Sequence, residues 1–320
     1  MIRFRTRLFL LAALAAASGA PAALADTALT VGKADANAST IVPINVGDKL
    51  GIFKKHGLDL KIVDFTGGSK AIQAMVAGSV DIGLSAGPEL ALVLKGAPVI
   101  GVCDSAPAIP FIGITVPWDS PIKDLAGLKG KKIGISSAGS LTDWLAHELA
   151  RHEKWPADAI TAVAIGNGIT STVSAFRAHT VDADIAVTSN IFNMEANQQG
   201  RLLAPVSTYV GHLAAGTIFA TNKLIADNPG AVRAFIAGWL ETIAYMRAHK
   251  EEAIKLESEA THFPVAVQTK EFNLTFGMFS HDCRFDAESL ATLKRSFIDM
   301  KEFATPPDMS KVYTEAFLPK

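Results

Sequence analysis

Short apolar segments alternate along this chain with bends rich in Gly, Ser and Thr and with segments of helical period. Strands that alternate with helices in this way are typical of a parallel α/β sheet. The predicted strands are ALTVGK, LDLKIVDF, VDIGLS, PVIGVCDS, FIGITVP, KKIGISS, ITAVAI, ADIAVTS and AGTIFAT. The predicted helices are 40–56, 69–77, 88–95, 141–152, 169–178, 229–248, 250–260, 268–279, 287–303 and 310–316. We therefore expect an α/β fold whose last third is mainly helical.

One stretch of this pattern occurs twice, 101 residues apart. The bend Thr66–Ser69 is followed by KAIQAMVAGSVDIGLS, and the bend Asn167–Thr170 is followed by STVSAFRAHTVDADIAVTS, with Asp81 and Asp182 at matching places. Doubly wound sheets bind ligands outside the carboxyl ends of their strands. The repeat therefore predicts two similar lobes whose polar bends face one cleft.

The chain is predicted to cross between these lobes twice. FIGITVPWDSPIKDLAGLKG carries two prolines and leads into the second lobe, and HLAAGTIFATNKLI returns from it. Lobe one is assigned to residues 27–113 and 216–320, and lobe two to residues 114–215. Two crossing strands between rigid bodies form a hinge.

The first 25 residues have the pattern of a secretory signal. MIRFRTR is basic, LFLLAALAAASG is apolar, and ALAD supplies small residues for cleavage after Ala25. No cysteine follows the apolar run, so no lipoprotein anchor is expected. No later segment reaches the ~18 apolar residues that a membrane span needs. We expect an exported, soluble protein in the periplasm.

Charge and cysteine content narrow the classes of partner. The chain has 30 basic and 31 acidic residues, and without Arg3, Arg5 and Arg7 the balance is 27 to 31. This balance gives no support to a nucleic-acid partner, which would need a basic face, so none is predicted. Cys103 and Cys283 either pair in an oxidising compartment or remain two buried small residues. Neither has metal-ligand spacing, so no metal and no cofactor is predicted.

Several stretches, in their order along the chain, resemble periplasmic solute-binding proteins of ABC importers. The resemblance is to the branch for nitrate, taurine, alkanesulfonate and thiamine precursors, also described as NMT1/THI5-like. It implies a type II periplasmic binding fold, a non-enzymatic monomer that closes on a small solute, and a membrane permease as partner. Val187–Asn190 departs from the W-E-P-like stretch of that branch, which disfavours sulfonate and nitrate. The matching stretches are GIFKKHGLDLKIVDF, AIQAMVAGSVDIGLS, SPIKDLAGLKGKKIGISSAGS, FRAHTVDADIAV, NPGAVRAFIAGWLETIAYMRAHKEEA and PDMSKVYTEAF.

The segment VDIGLSAGPELAL contains a G-x-S-x-G pattern around Ser85, which marks the nucleophile of many hydrolases. The histidines of the chain have no distinctive flanking pattern, and the sequence has no His-Gly-Gly oxyanion loop. The second copy of the repeat ends in Thr188 and Ser189 without the final glycine, which favours a structural bend. A secreted serine hydrolase that uses Ser85 is the alternative from another class.

Two further alternatives concern proteins of the same fold. A pyrimidine synthase would need a cysteine-rich, iron-associated motif, which two cysteines cannot supply. A periplasmic sensor subunit would use the same receptor to report to a kinase, and the sequence does not separate sensing from transport.

Polar bends of both lobes supply the predicted ligand contacts. Ser69, Ser140 and Thr170 are expected to be helix N-caps, whose neighbouring N–H groups suit an anion. Few basic side chains lie at these bends, so we expect a small organic anion, such as an aromatic or other carboxylate. The predicted ligand-binding residues are Asn37, Ser39, Gly68, Ser69, Ser85 and Ala86 from lobe one and Ser137, Gly139, Ser140, Asn167, Thr188 and Ser189 from lobe two.

Overall fold

The computed structural model describes residues 26–156 and 158–319, so the predicted signal segment lies outside the described residues. Within them, ten strands form two five-stranded sheets. The strands are β1 (Thr27–Lys33), β2 (Leu58–Asp64), β3 (Ile82–Ser85), β4 (Val99–Ala108), β5 (Ile112–Pro117), β6 (Lys132–Ile135), β7 (Thr161–Ala164), β8 (Ala183–Val187), β9 (Gly200–Pro205) and β10 (His212–Thr221). The helices are α1 (Pro43–Lys49), α2 (Ile52–Lys55), α3 (Gly68–Val76), α4 (Leu90–Leu94), α5 (Leu141–His152), α6 (Ile169–Arg177), α7 (Thr188–Ala196), α8 (Asn222–Asp227), α9 (Pro229–Ala248), α10 (Lys250–Thr261), α11 (Val265–Thr275) and α12 (Ala287–Asp299).

Both sheets have the same topology. The first has the order β2-β1-β3-β10-β4 and the second the order β7-β6-β8-β5-β9. In each, four strands run parallel and the strand in the fourth place is antiparallel to both neighbours. That strand, β10 or β5, is the first after the chain has crossed from the other sheet. The predicted pair of α/β units is confirmed, and each sheet is mixed rather than purely parallel.

The strands change sheets slightly earlier than the predicted lobe boundaries after residues 113 and 215. Ile112 and Gly113 pair with β8 in the second sheet, and His212 pairs with Ala108 in the first. The crossings therefore lie at 109–111 and 206–211. The assignment of the other segments to lobes stays a prediction. We call the part around the first sheet unit one and the part around the second sheet unit two.

The repeated Val-Asp step has one structural role in both units. A carboxylate oxygen of Asp81 accepts a hydrogen bond from the N–H of Thr30 at 2.8 Å, and that of Asp182 accepts one from Lys132 at 2.9 Å. Each aspartate ties the start of one strand to the parallel strand beside it. The repeated Val-Asp step in the sequence therefore marks a place where two parallel strands pair.

All nine predicted strands are confirmed, and α5 and α9 begin and end where the sequence pattern places them. The sequence pattern missed β9, α7 and α8. The predicted helix 40–56 is divided into α1 and α2 at Gly51, whose φ of 68° is a left-handed conformation that glycine adopts readily. Segment 310–316 contains only the end of a short 3-10 turn, Met309–Lys311.

The C-terminal third packs on unit one. Cys103 in β4 and Cys283 form a disulfide, which resolves the alternative left open by the sequence. Phe235 and Trp239 of α9 are buried, and Phe235 packs on Phe53 of α2. No helix in the described ranges has both the length and the apolar character that crossing a bilayer would require.

Candidate functional site

A cavity of about 60 Å³ lies between the two units at the carboxyl ends of their strands. Unit one contributes residues that follow β1 and β3, including Asp35 and Ala86, and unit two contributes Ser136 after β6 and the loop 166–168 after β7. Both repeats of the sequence therefore meet at one cavity, where α/β sheets commonly bind ligands.

The predicted ligand-binding residues divide into two groups around this cavity. Gly68, Ser85, Ala86, Ser140 and Asn167 line it. The others do not line it, and most of them take part in hydrogen bonds that join the units. Contact with a ligand stays a prediction for the whole set. The residues outside the lining are Asn37, Ser39, Ser69, Ser137, Gly139, Thr188 and Ser189.

Ser69 connects the two units directly. Its hydroxyl on α3 lies 2.9 Å from the hydroxyl of Ser137 and donates to the carbonyl oxygen of Ala138 at 2.8 Å. Both partners follow β6 in unit two, and Ser69 and Ser137 are buried. The polar bend after β2 of unit one therefore contacts the polar bend after β6 of unit two.

A second connection joins the segment after β1 to the start of α7. The side-chain amide of Asn37 donates to Oδ1 of Asn190 at 3.0 Å, and the hydroxyl of Ser189 donates to the carbonyl oxygen of Asn37 at 3.0 Å. Ser189 and Asn190 are buried. Thr188 and Ser189 are thus the first residues of a helix and not the end of a strand.

Asn167 forms a third connection. Its side-chain amide donates to Oδ2 of Asp35 at 2.8 Å and to the carbonyl oxygen of Ala34 at 3.1 Å. The other oxygen of Asp35 accepts from the N–H of Asn37 at 2.7 Å. Asp35 therefore orders its own loop and holds the unit-two bend.

Glu271 of α11, which the sequence analysis missed, forms a further hydrogen-bonded link between the two units. Its Oε1 accepts hydrogen bonds from Ser39 of unit one and, at 3.0 Å, from Thr188 of unit two. Burial raises the pKa of Glu271 to about 7, against the lowering effect of these two hydroxyls. Burial, followed by the charge of Glu271, raises the pKa of Glu257 to about 8. A glutamate on a helix ordinarily indicates a solvated face, so no local signal in the sequence marked Glu257 or Glu271 as buried.

The expected N-caps differ from those of the structure. Gly67 and Gly168 are the N-cap residues of α3 and α6, so Ser69 and Thr170 lie inside their helices. Ser140 has the N-cap position of α5 without capping by its side chain. Its hydroxyl lies 2.8 Å from that of Ser136. The N–H of Gly139 donates to Asp143 at 2.7 Å, which shapes the turn before α5.

Carboxyl groups dominate the charge of the cavity. Asp35, Glu89 and Asp184 line it, and within the described ranges its lining contains no Lys, Arg or His. Burial raises the pKa of Glu89 to about 7 and that of Asp184 to about 6, and it also raises the pKa of Asp35. This lining disfavours the predicted organic anion, because like charges at close range repel in a buried site.

Among the fully buried side-chain oxygens of the lining, those of Glu89 and Ser85 have no hydrogen-bond partner in the described residues. Glu89 is 1% exposed and Ser85 is 4% exposed. The N–H of Glu89 itself, the Ser85 hydroxyl and the N–H groups of Leu141 and Ala86 are near enough to lower the pKa of Glu89, but none of them donates to it with good hydrogen-bond geometry. Buried polar groups normally have hydrogen-bond partners, so the oxygens of Glu89 and Ser85 could accept hydrogen bonds from a ligand.

Ser85 lacks the surroundings of a hydrolase nucleophile. It is not among the described residues with positive φ, whereas a nucleophile elbow is a sharp, strained turn. The glycines of the pattern have packing roles instead. A Cβ on Gly83 would lie 2.5 Å from the sulfur of Met75, and one on Gly87 would lie 2.9 Å from the carbonyl oxygen of Ala214. Close packing around β3 therefore accounts for the G-x-S-x-G pattern.

Two α/β units of one topology, with a cavity between them, define the class of periplasmic binding protein folds. The periplasmic aliphatic sulphonate binding protein SsuA from Escherichia coli is a structural neighbour with a TM-score of 0.71 and 19% sequence identity, over 90% of this chain and 92% of that chain. The family model described as NMT1/THI5 like matches residues 38–253. The chain therefore belongs to the NMT1/THI5-like family.

Curated relatives differ in the function that their names state. A 4-amino-5-hydroxymethyl-2-methylpyrimidine phosphate synthase of Candida albicans is 29% identical over 75% of this chain and 73% of its own length. A protein of Brucella abortus that is named as a binding protein is 28% identical over 67% of this chain. The match covers 66% of the Brucella protein, just under two thirds of its length. Membership of the family therefore does not decide between binding and catalysis.

Proposed function

We propose that this protein is a periplasmic receptor that captures a small solute between its two units by closure and delivers it to the permease of an ABC importer. The observation that carries this proposal is the cavity enclosed by both repeats, with side-chain hydrogen bonds across it from Ser69, Asn37 and Asn167. The names of the Escherichia coli and Brucella proteins support binding as the function.

Only a few side-chain hydrogen bonds of the described residues join the two units across the cavity, and this small number makes closure dependent on a ligand. A hydrogen bond contributes about 1 kcal/mol net, so a few of them hold the units together only weakly. A solute that contacts both units would add its own binding energy to the closed form alone and would shift the population toward it. The receptor acts as a monomer in this proposal, because each chain contains both halves of its site.

The class of solute is the part of the proposal that departs from the sequence prediction. A small organic anion would face Asp35, Glu89 and Asp184 without a cation in the lining. The sulphonate named for the Escherichia coli neighbour would meet the same carboxyl groups. We therefore propose a small solute without the requirement that it be an anion.

Three alternatives are less well supported. The surroundings of Ser85 do not favour a hydrolase, since no histidine of the described residues lines the cavity. A pyrimidine synthase, as named for the Candida relative, would use the same fold. Cys103 and Cys283 are joined in a disulfide and are not free thiol ligands. A sensor would share the receptor and differ only in its membrane partner.

A ligand screen tests the proposal. Organic acids, sulfonates, pyrimidines and amines are tested for a rise in melting temperature, which grows with ligand concentration relative to Kd. Hits are then followed by small-angle X-ray scattering and by mass spectrometry of the compound. We expect a hit that reduces the radius of gyration and is recovered unchanged. A hit that is converted to product, or hits that never compact the protein, would contradict the receptor function.

Cross-linking in membranes separates transport from sensing. The ligand-loaded protein is cross-linked to membranes of the source cells, and the captured partner is identified by mass spectrometry. A permease subunit supports transport, and a histidine kinase supports the sensor.

A further inference from the structure

We infer that the cavity recognises a positively charged nitrogen group of the solute, an ammonium, amidinium or guanidinium, through the carboxylate of Glu89 and the hydroxyl of Ser85. This inference rests on the proposed receptor function and specifies its substrate class. It departs from the sulphonate binding named for the Escherichia coli neighbour.

The two acceptor oxygens converge on one point of the cavity wall. A Cβ built on Gly68 would lie 1.9 Å from Oε1 of Glu89 and 2.2 Å from Oγ of Ser85. Gly68, Ser85 and Glu89 all line the cavity. The two oxygens therefore lie close together against the α-carbon of Gly68, and only a residue without a side chain at position 68 leaves room for them. A donor that reaches both has to approach from the cavity, which all three residues line.

Neither side chain makes a hydrogen bond of good geometry to the protein, although several N–H groups and the Ser85 hydroxyl lie close to Glu89. Both oxygens of Glu89 and the hydroxyl of Ser85 lack partners within residues 26–156 and 158–319. An unpaired buried carboxylate is costly unless it meets an opposite charge and hydrogen bonds. An ammonium group offers three donors and a guanidinium five, so either supplies what this pair lacks.

The remaining charges around the cavity favour the same ligand. Asp35 and Asp184 also line the cavity, while the cation next to Asp35 does not. That cation is Lys33, whose Nζ lies 3.1 Å from Asp64 and 3.0 Å from Oδ1 of Asn45. A cationic solute would thus meet the carboxyl groups of Glu89, Asp35 and Asp184 without a competing lysine in the lining.

Helix N-termini attract anions, and α3, α5, α6 and α7 each place N-terminal residues in the cavity lining. The N-terminus of α3 at Gly68, however, already lies beside the carboxylate of Glu89. At the N-terminus of α6, the hydroxyl of Thr172 donates to Asp184 at 2.6 Å. The N-termini of α3 and α6 therefore each have a carboxyl group of the protein close to them, which weakens their attraction for an external anion.

The size of the cavity limits the group that it holds in this closed form. Its volume of about 60 Å³ compares with about 10–15 Å³ for an ordered water. A head group of a few non-hydrogen atoms fits this space. We therefore expect compact nitrogen groups to bind in preference to bulky quaternary ones.

The test compares cations and anions of similar shape on the full folded protein. Guanidinium is paired with nitrate, benzamidine with benzoate, and ethylammonium with acetate, each titrated by calorimetry at pH about 8, where Glu89 is charged. We expect at least one cation to bind and to bind more tightly than its paired anion. Tighter binding of the anions, or no binding of any cation at millimolar concentration, would overturn the inference.

Single substitutions identify the side chain that is responsible for cation binding. Glu89→Gln keeps the shape of the side chain and removes its charge, so we expect the affinity for the cation to fall by about tenfold or more. Ser85→Ala should lower it by roughly threefold to tenfold. Glu251→Gln, on the exposed start of α10, is the matched control and should change nothing. Unchanged cation affinity in Glu89→Gln, with native circular dichroism, would also overturn the inference.

These outcomes are separable from failure of the receptor function. If an anion or a neutral compound compacts the protein and is recovered unchanged, the receptor function stands and the cation assignment is wrong. If a cation binds as expected but is chemically converted, the assignment of Glu89 stands and the receptor function fails.

Discussion

The hydroxyl of Ser69 lies 2.9 Å from that of Ser137, and this contact joins the bend after β2 to the bend after β6 in two α/β units that share one topology. It also offers a way to hold the cleft closed. We expect the double substitution Ser69→Cys and Ser137→Cys to form a disulfide in oxidising buffer, because the two side-chain atoms are already in contact. The loss of two protons by intact mass, together with slower exchange of a bound hit, would check this. Each single substitution is the control, and a double variant that remains reduced would show that the units do not approach in solution.

Gly68→Ala should abolish binding of cationic hits. The added methyl group would overlap Oε1 of Glu89 at 1.9 Å and displace the carboxylate from the cavity wall. Calorimetry with the best cationic hit measures the loss, which we expect to be about tenfold or more. Gly277→Ala is the control, since a Cβ there meets no atom within 4 Å. Full binding by Gly68→Ala would show that the solute does not use this wall.

Binding of a cationic hit should strengthen as the pH rises from about 6 to about 8. Glu89 has a pKa of about 7 and Asp184 a pKa of about 6, both raised by burial. A cation favours the charged carboxylates, so its binding lowers these pKa values and releases protons. Asp35 also faces the cavity, and Lys33, which lies beside Asp35, is the nearby fixed charge. Calorimetry in buffers of different ionisation enthalpy measures proton release. Proton uptake would contradict the prediction.

Glu257→Gln should stabilise the protein at pH about 8. The pKa of Glu257 is raised from 4.5 to about 8 in the folded state, so the folded state binds more protons between these values. Stability is therefore lost as the pH rises through this window, and glutamine removes the loss. We expect a gain of roughly 2–4 kcal/mol in the free energy of unfolding at pH about 8 and almost none below pH about 4.5. Urea unfolding measures both values, with Glu251→Gln on the same helix as control. A gain that is independent of pH would indicate a cause other than titration.

Reduction of the disulfide between Cys103 and Cys283 should destabilise unit one. The bond closes a loop across 180 residues and anchors the segment before α12 to β4. Such bonds contribute about 2–4 kcal/mol. Urea unfolding of Cys103→Ser with Cys283→Ser measures the loss, and an unchanged midpoint would contradict a stabilising role.

Some features of this protein followed from local pattern alone. Alternation of apolar strands with helical segments predicted nine strands, and the repeated Val-Asp step predicted two similar units. The strand β9 was missed because GRLLAP is an edge strand that contains a glycine and an arginine and ends in proline, which weakens its pattern. Thr188 opens a helix directly after a strand, so the sequence shows no bend between α7 and β8.

The sequence by itself determined the period of each element and the repeat, because both depend on residues close together in the chain. Only the tertiary structure decided which bends meet and which carboxyl groups are buried. Glu271 and Ser39 are 232 residues apart, and Glu89 is enclosed by segments from both units. An acidic residue on a helix looks solvated in any local pattern. Whether water reaches it depends on the surfaces that distant parts of the chain place against it.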